Sequence, residues 1–376
     1  MDTARVAALF HENFALQGEI GASLNVWRDG REILSLADGW CDRERTVPWT
    51  VQTPVLVWSA TKGPAAACVL HAMQEHGITL DTRVADVWPE FAAHGKGALT
   101  IGQTLSHQSG VPALDRVASV FDHVAVAQAI AEQVPYWEPC TAHGYGPRLF
   151  GYLLDELVRR IACRTLGEYW RTVFAEPLGL DFWIGVSEDI VAKVAPIFPP
   201  KAAPPKDRFY TAFVTPGSLT LRAFGSPDGL KSVAAMNAPG GRRASLPGFG
   251  GIGTAAALAK FYAMLASGGV LDGRTFFRPQ TLAWMNTTLV QGDDHVLLID
   301  TAFSAGFMRD PVSPDGKKLR AIFGPSPSAF GHPGAGGSHA FTDPEHRIAF
   351  AYVMNQMEPG VLPGPKALRL VEAIYA

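Results

Sequence analysis

Apolar positions recur at three- and four-residue spacing over residues 4–17, through Val6, Leu9, Phe10, Phe14 and Leu16, and predict an N-terminal helix. Two short segments follow, Ala22–Trp27 and Glu32–Ala37, flanking Arg28-Asp29-Gly30. The Asp-Gly pair supplies the positive φ angles of a tight turn, so a hairpin is expected. A second hairpin is expected near the other end, where Ser338–Thr342 and Arg347–Met354 flank Asp343-Pro344-Glu345-His346, and a last helix over Lys366–Tyr375. Between them the helical period returns over Gly63–His76, Val124–Glu132, Pro147–Ile161, Leu166–Ala175 and Ala255–Ala266. Two passages rich in Gly or Pro, Ile197–Pro205 and Ser226–Gly253, read as long surface loops. Within the second, Gly250-Gly251-Ile252-Gly253 lacks the Lys-Ser/Thr ending of a phosphate loop and reads as a flexible entry into the helix after it.

Strands at both ends with helices between them predict an α+β fold. Its antiparallel sheet would be assembled from the two termini and flanked by the N- and C-terminal helices, with a mostly helical domain inserted. The expected division is a discontinuous sheet domain, 1–75 and 245–376, and a helical domain, 76–244.

Composition narrows the class. Hydrophobic residues at 47% and charged residues at 18% describe a compact globular chain of 376 residues rather than a disordered one. The net charge of −3 and a longest basic cluster of only Arg242-Arg243 argue against nucleic acid as a partner. The start, Met1-Asp2-Thr3, lacks the basic, then apolar, pattern of a secretory signal, and no apolar run approaches the ~20 residues of a membrane span. A soluble cytoplasmic protein with no membrane partner is expected. Cys41, Cys68, Cys140 and Cys163 lie far apart with no C-x-x-C pair, so no metal, no cofactor and no disulfide framework is expected.

The candidate chemistry lies at Ser59-Ala60-Thr61-Lys62, an S-x-x-K pattern after the apolar segment Val55–Trp58 and at the start of a helix. Positions i and i+3 share a helix face, which brings the lysine amine to the serine hydroxyl. A hydroxyl is a weak nucleophile until a base takes its proton, and burial lowers a lysine pKa enough for that task. An ordinary helix start, with Ser59 as cap and Lys62 in solvent, gives the same tetrapeptide. A second serine, in Gly336-Gly337-Ser338-His339-Ala340, approximates a nucleophile elbow, but Ser338 opens a predicted strand where an elbow needs a helix.

Four passages together carry a resemblance: Val57–Lys62, Thr100–Gly110, Gly144–Pro147 and Phe330–Gly337. In order and spacing they resemble the serine β-lactamase and penicillin-binding-protein superfamily, class C β-lactamase-like, and most closely its family VIII carboxylesterases. The resemblance implies the β-lactamase/transpeptidase-like fold and Ser59, Lys62 and Tyr145 as catalytic residues. Tyr145 would share a proton with Lys62, its phenol pKa lowered by the nearby ammonium. The amides of Ser59 and Ala335 would form the oxyanion hole. His332-Pro333-Gly334 stands where the family has K-T-G, which places His332 and Gly334 at the substrate, Gly334 leaving room for it. An imidazole in place of lysine implies less preference for anionic substrates. His107 is implied to be buried behind the site.

The family's Y-x-N motif is broken by Pro147, which has no side-chain donor for a β-lactam amide. The expectation is therefore a carboxylesterase for short acyl esters, working through a Ser59 acyl-enzyme on a small-molecule ester, with weak or no β-lactamase activity. Trp137 and Phe249, with Tyr136 and Phe330, are candidate pocket walls. The alternatives are an acyltransferase, a D-amino-acid amidase or peptidase, a β-lactamase, and a non-enzymatic sensor that acylates without release.

Overall fold

Asp29 and Gly30 turn the chain with φ of 52° and 72°, joining the antiparallel strands Gly21–Arg28 and Arg31–Gly39. The computed structural model describes residues 1–376. Strand Gly21–Arg28 pairs on its other side with Ile348–Met354, in register from Ala22 with Met354 to Arg28 with Ile348, so the two ends of the chain meet inside one sheet. Beyond it lie His339–Asp343, Phe330–Pro333, Met308–Arg309, Asp300–Phe303 and Val290–Asp293, every pair antiparallel, making eight strands.

The alternation of side chains along Ile348–Met354 explains how the sheet is covered. Ala349, Ala351 and Val353 belong to the core shared with helix Ala255–Ala266, where small residues let the helix axis come close. Ile348, Phe350, Tyr352 and Met354 point the other way, into a second core with the terminal helices Thr3–Leu16 and Pro365–Tyr375. A larger residue at Ala351 would overpack the close face at a cost of about 1–3 kcal/mol.

Helix Lys62–Glu75 is buried along almost its whole length. Its small residues permit this: a Cβ on Gly63 would stand 2.1 Å from the Tyr262 hydroxyl oxygen, and Gly306 is equally crowded by Ala66. The remaining helices, including His123–Glu132 and Leu149–Ala162, pack around it.

The passage Ser226–Gly253 corrects the sequence reading. It holds two short helices, Val233–Asn237 and Pro239–Arg243, and ends in strand Gly251–Gly253, the middle strand of a three-stranded sheet between Val55–Leu56 and Phe182–Ile184. The glycines there serve close packing rather than flexibility. Added Cβ atoms on Gly251 and Gly253 would each approach the Phe182 ring to 2.5 Å. The predicted helix Leu166–Ala175 is also interrupted, becoming a π turn over Arg171–Ala175.

Candidate active site

Strand Gly251–Gly253 positions the candidate nucleophile Ser59. Val57 donates its amide to Gly251 O (3.0 Å), and the Gly251 amide donates to Thr61 Oγ1 (2.8 Å). Thr61 Oγ1 in turn donates to Trp58 O, so the single 3₁₀ turn Trp58–Thr61 is tied to the sheet from both ends. Trp58 is forced to a φ of +49°, a costly conformation for an aromatic residue, and Ser59 follows it directly.

Lys62 Nζ lies 3.2 Å from Ser59 Oγ, 2.8 Å from Pro147 O and 2.7 Å from Gly248 O. The side chain is fully buried, and burial alone holds its pKa well below the usual 10.5. A neutral amine has two N–H donors and one lone pair. When the amine is neutral, the two carbonyls can take its donors and leave the lone pair open to the Ser59 hydroxyl.

Tyr145 packs against this amine, with Nζ 4.8 Å from the ring centroid. Its phenol differs from the expectation: burial pushes the pKa up, with a hydrogen bond to Ser59 only partly opposing that. Burial lowers the pKa of the amine as well, so both groups are pushed toward their uncharged forms. Of the pair, the amine is the group whose shift suits a base, and the phenol's shift keeps its proton on.

The loop carrying Tyr145 is held on three sides. Gly144 donates to His107 O (3.1 Å) and Gly146 to His107 Nδ1 (3.3 Å). His107 is buried with its pKa well below normal, and its ring meets Tyr145, Phe150 and Phe303. Asp294, which no sequence pattern indicated, is fully buried and accepts the Tyr145 amide on both oxygens. It also accepts the amides of Val296 and Leu297 and the Thr301 hydroxyl.

The strand Phe330–Pro333 runs alongside the nucleophile turn. Gly334 is confined by protein rather than by room for a ligand, since its Cβ would strike Val57 O at 2.1 Å. The amides of Gly334, Gly336 and Gly337 donate to Ser338 O, Gly360 O and Gly334 O, whereas the Ala335 amide donates to no carbonyl of the protein. His332 is buried, stacks 5.8 Å from the Tyr145 ring and binds Pro333 O through Nδ1 (2.8 Å), leaving Nε2 without a partner. Burial lowers its pKa to about 3, so the ring is neutral.

A cavity of about 380 Å³ opens beside Ser59, and Ala335, Pro147, Arg148 and Phe249 border it. Of the expected substrate contacts, Phe249 lines this cavity, while His332, Gly334 and Trp137 do not. Trp137 donates its indole N–H to Ala142 O (3.1 Å) and presses on Gly144, buttressing the Tyr145 loop from behind. Tyr136 and Phe330 are also elsewhere. The former bonds Asp115 near the surface (2.9 Å), and the latter packs on Phe307 in the core. The aromatic walls that do face Ser59 come from Phe209, Tyr210, Phe213 and Phe224, on the short helices Arg208–Val214 and Leu219–Gly225. The cluster of aromatic residues over 209–213 was the available signal.

A fold of this kind around such a serine defines a hydrolase of the β-lactamase class, and comparison with known proteins agrees. Residues 6–373 match the family model described as Beta-lactamase, and the chain belongs to that family. It is 31% identical over 348 residues to the esterase/beta-lactamase LipL of Mycobacterium tuberculosis (strain ATCC 25618 / H37Rv), covering 90% of this chain and 77% of that protein. Among solved structures, a penicillin-binding-protein homolog from Caulobacter crescentus superposes with a TM-score of 0.87 at 36% identity, covering 99% of this chain and 96% of the other. A family VIII carboxylesterase superposes equally well, with a TM-score of 0.87 at 31% identity over 99% and 96% of the two chains. No helix is long and apolar enough to cross a membrane.

Proposed function

We propose that the protein is a carboxylesterase that cleaves acyl esters through a Ser59 acyl-enzyme. One observation carries this reading: the buried Lys62 amine lies 3.2 Å from Ser59 Oγ with Pro147 O and Gly248 O as its other partners, so in its neutral form the two carbonyls take its N–H groups and the lone pair is left for Ser59 Oγ. Lys62 takes the hydroxyl proton as Oγ attacks the ester carbonyl. The negative charge that develops on the carbonyl oxygen is met by the amides of Ser59 and Ala335, the second of which has no competing acceptor. Tyr145, still protonated, gives its proton to the departing alkoxide and recovers it from Lys62. Water then enters, and the same relay runs in reverse to release the acid.

Pro147 limits the reaction. Its carbonyl anchors Lys62, but where the family has asparagine it offers no donor to a β-lactam amide, so β-lactam turnover is weak beside ester turnover. Hydrolysis of p-nitrophenyl acetate and of nitrocefin by wild-type protein and by Ser59→Ala tests this reading. Ester turnover abolished in the variant, with its circular dichroism unchanged, supports it. Undiminished turnover in that variant refutes it.

A further inference from the structure

We infer that the cavity beside Ser59 selects neutral esters that carry an apolar group of hexyl or phenyl size, and that Phe213 and Phe224 set this preference. The inference rests on the esterase reading and extends the short acyl esters that the sequence suggested.

Eleven of the eighteen residues lining the cavity are hydrophobic, an excess far beyond what an acetyl group requires. One wall is a three-ring cluster. Phe209 and Phe213 stack at 5.6 Å, Phe224 meets Phe209 edge-on at 5.5 Å, and Phe213 and Phe224 meet at 5.3 Å and 83°. All three border the cavity, but Phe209 is buried, whereas Phe213 and Phe224 remain half-buried. Apolar surface left open next to a nucleophile gains from being covered by a ligand.

The polar groups in the same lining do not offer a site for an anion. Arg148 is 6% exposed, and its guanidinium donates to Phe224 O (3.4 Å), Leu230 O (3.5 Å) and Gly229 O (2.5 Å) while lying 4.6 Å over the Phe249 ring. Of its five N–H groups three are committed to these carbonyls, and the one on Nε is covered by protein, out of a ligand's reach. Arg148 therefore staples the backbone next to Phe224 to the start of helix Leu149–Ala162, stiffening the wall instead of receiving a carboxylate. Lys231 is paired with Asp228 (2.5 Å), and Glu358 adds a carboxyl group that discourages a second one. The resulting preference is for an uncharged, greasy substrate.

Four esters separate the possibilities: ethyl acetate, ethyl hexanoate, hexyl acetate and monoethyl adipate, compared by kcat/KM in a pH-stat. Each buried methylene is worth roughly a factor of four, so the four extra methylenes set a ceiling of roughly 200-fold and incomplete burial leaves at least about tenfold. Ethyl hexanoate or hexyl acetate is therefore expected to exceed ethyl acetate by at least about tenfold. Whichever of the two does so identifies the acyl or the alcohol side as the occupant. Monoethyl adipate, with a carboxylate at the chain end, is expected at least about a hundredfold below ethyl hexanoate. Phe213→Ala and Phe224→Ala should each collapse the long-to-short ratio by about tenfold, while Phe213→Leu, which preserves apolar volume, keeps most of it. A ratio near one in the wild type, a ratio untouched by both alanine variants, or adipate turned over as fast as hexanoate would overturn the inference. If no ester is turned over, the esterase reading has failed. Calorimetric titration of Ser59→Ala protein with ethyl hexanoate and monoethyl adipate then still decides the preference, binding of the first alone supporting it and equal or reversed binding refuting it.

Discussion

The Tyr145 amide donates to both carboxylate oxygens of Asp294, at 3.0 and 3.1 Å. Asp294 lies 149 residues away in sequence, in the turn between two sheet strands, so the phenol that would protonate the leaving group is located by the sheet. Replacing Asp294 with Ala leaves the amides of Tyr145, Val296 and Leu297 buried without their acceptor, at about 1–3 kcal/mol for each group stranded. Asp294→Ala should lower the melting temperature by several degrees. In the milder Asp294→Asn, kcat should fall at least tenfold with KM little changed, because an ill-placed acid affects the transition state more than binding. Steady-state kinetics beside thermal melts check both statements, and equal kcat in Asp294→Asn would show that Tyr145 is held by other contacts.

Lys62 links catalysis to pH in a defined direction. Its folded pKa lies well below 10.5 because the amine is buried without an ion pair. Activity should therefore climb with pH through that depressed value and already be on its plateau well below the ordinary lysine range. Stability follows the same sign. Between the folded value and 10.5 the unfolded chain binds the extra proton, so stability rises with pH across this window and is lost as pH falls through it. Lys62→Met should remove this dependence and cut kcat by at least about a thousandfold. Melting curves from pH 6 to 10 on both proteins provide the comparison.

The buried imidazoles add an acid-sensitive term. His332 and His339 have folded pKa values lowered to about 3 and about 4 by burial, against 6.5 when exposed. Both stay neutral in the folded protein while the unfolded chain takes up protons. Stability is therefore highest above pH 6.5 and declines as pH falls toward the folded values, each group contributing on the order of a few kcal/mol. A melting temperature measured from pH 7 to pH 4 should fall, and His332→Gln should flatten part of the decline. His332→Lys, which restores the family's lysine, should destabilise the protein, since it buries a cation beside the Lys62 amine with no anion to receive it.

Gly251 tests the link between sheet and nucleophile. A Cβ there meets the Phe182 ring at 2.5 Å and Thr61 Oγ1 at 2.6 Å, and Thr61 closes the turn that holds Ser59. Gly251→Ala should cost about 1–3 kcal/mol and, by displacing Thr61, reduce kcat further than the lost stability accounts for at a temperature where the variant is folded. Activity per folded molecule, assayed well below the melting temperature, isolates the second effect.

Both hairpins and the terminal helices were legible because their signals are local: Asp29-Gly30 dictates its turn, and Ile348–Met354 alternates small and large side chains that any sheet covered on both faces requires. The reach of Lys62 to Ser59 was legible for the same reason, being a three-residue spacing. Gly250–Gly253 misled because a glycine run looks alike whether it is mobile or wedged under Phe182. Asp294 carried no local signal, since its importance comes from an amide on another part of the chain. The raised phenol pKa of Tyr145 was missed for a physical reason: the expectation weighed a neighbouring charge, whereas burial of the phenol itself dominates. Trp137 was placed on the correct loop but on its reverse side.

The central claim is that an uncharged Lys62 activates Ser59. The rate at which a fluorophosphonate probe labels the protein, followed by intact mass against pH with the modified residue identified by peptide sequencing, tests it most directly. Labelling at Ser59 alone, rising through a midpoint well below 10.5 and falling at least about a thousandfold in Lys62→Ala, is the predicted result. Labelling at another serine, or a rate in Lys62→Ala equal to that of the wild type, would contradict it.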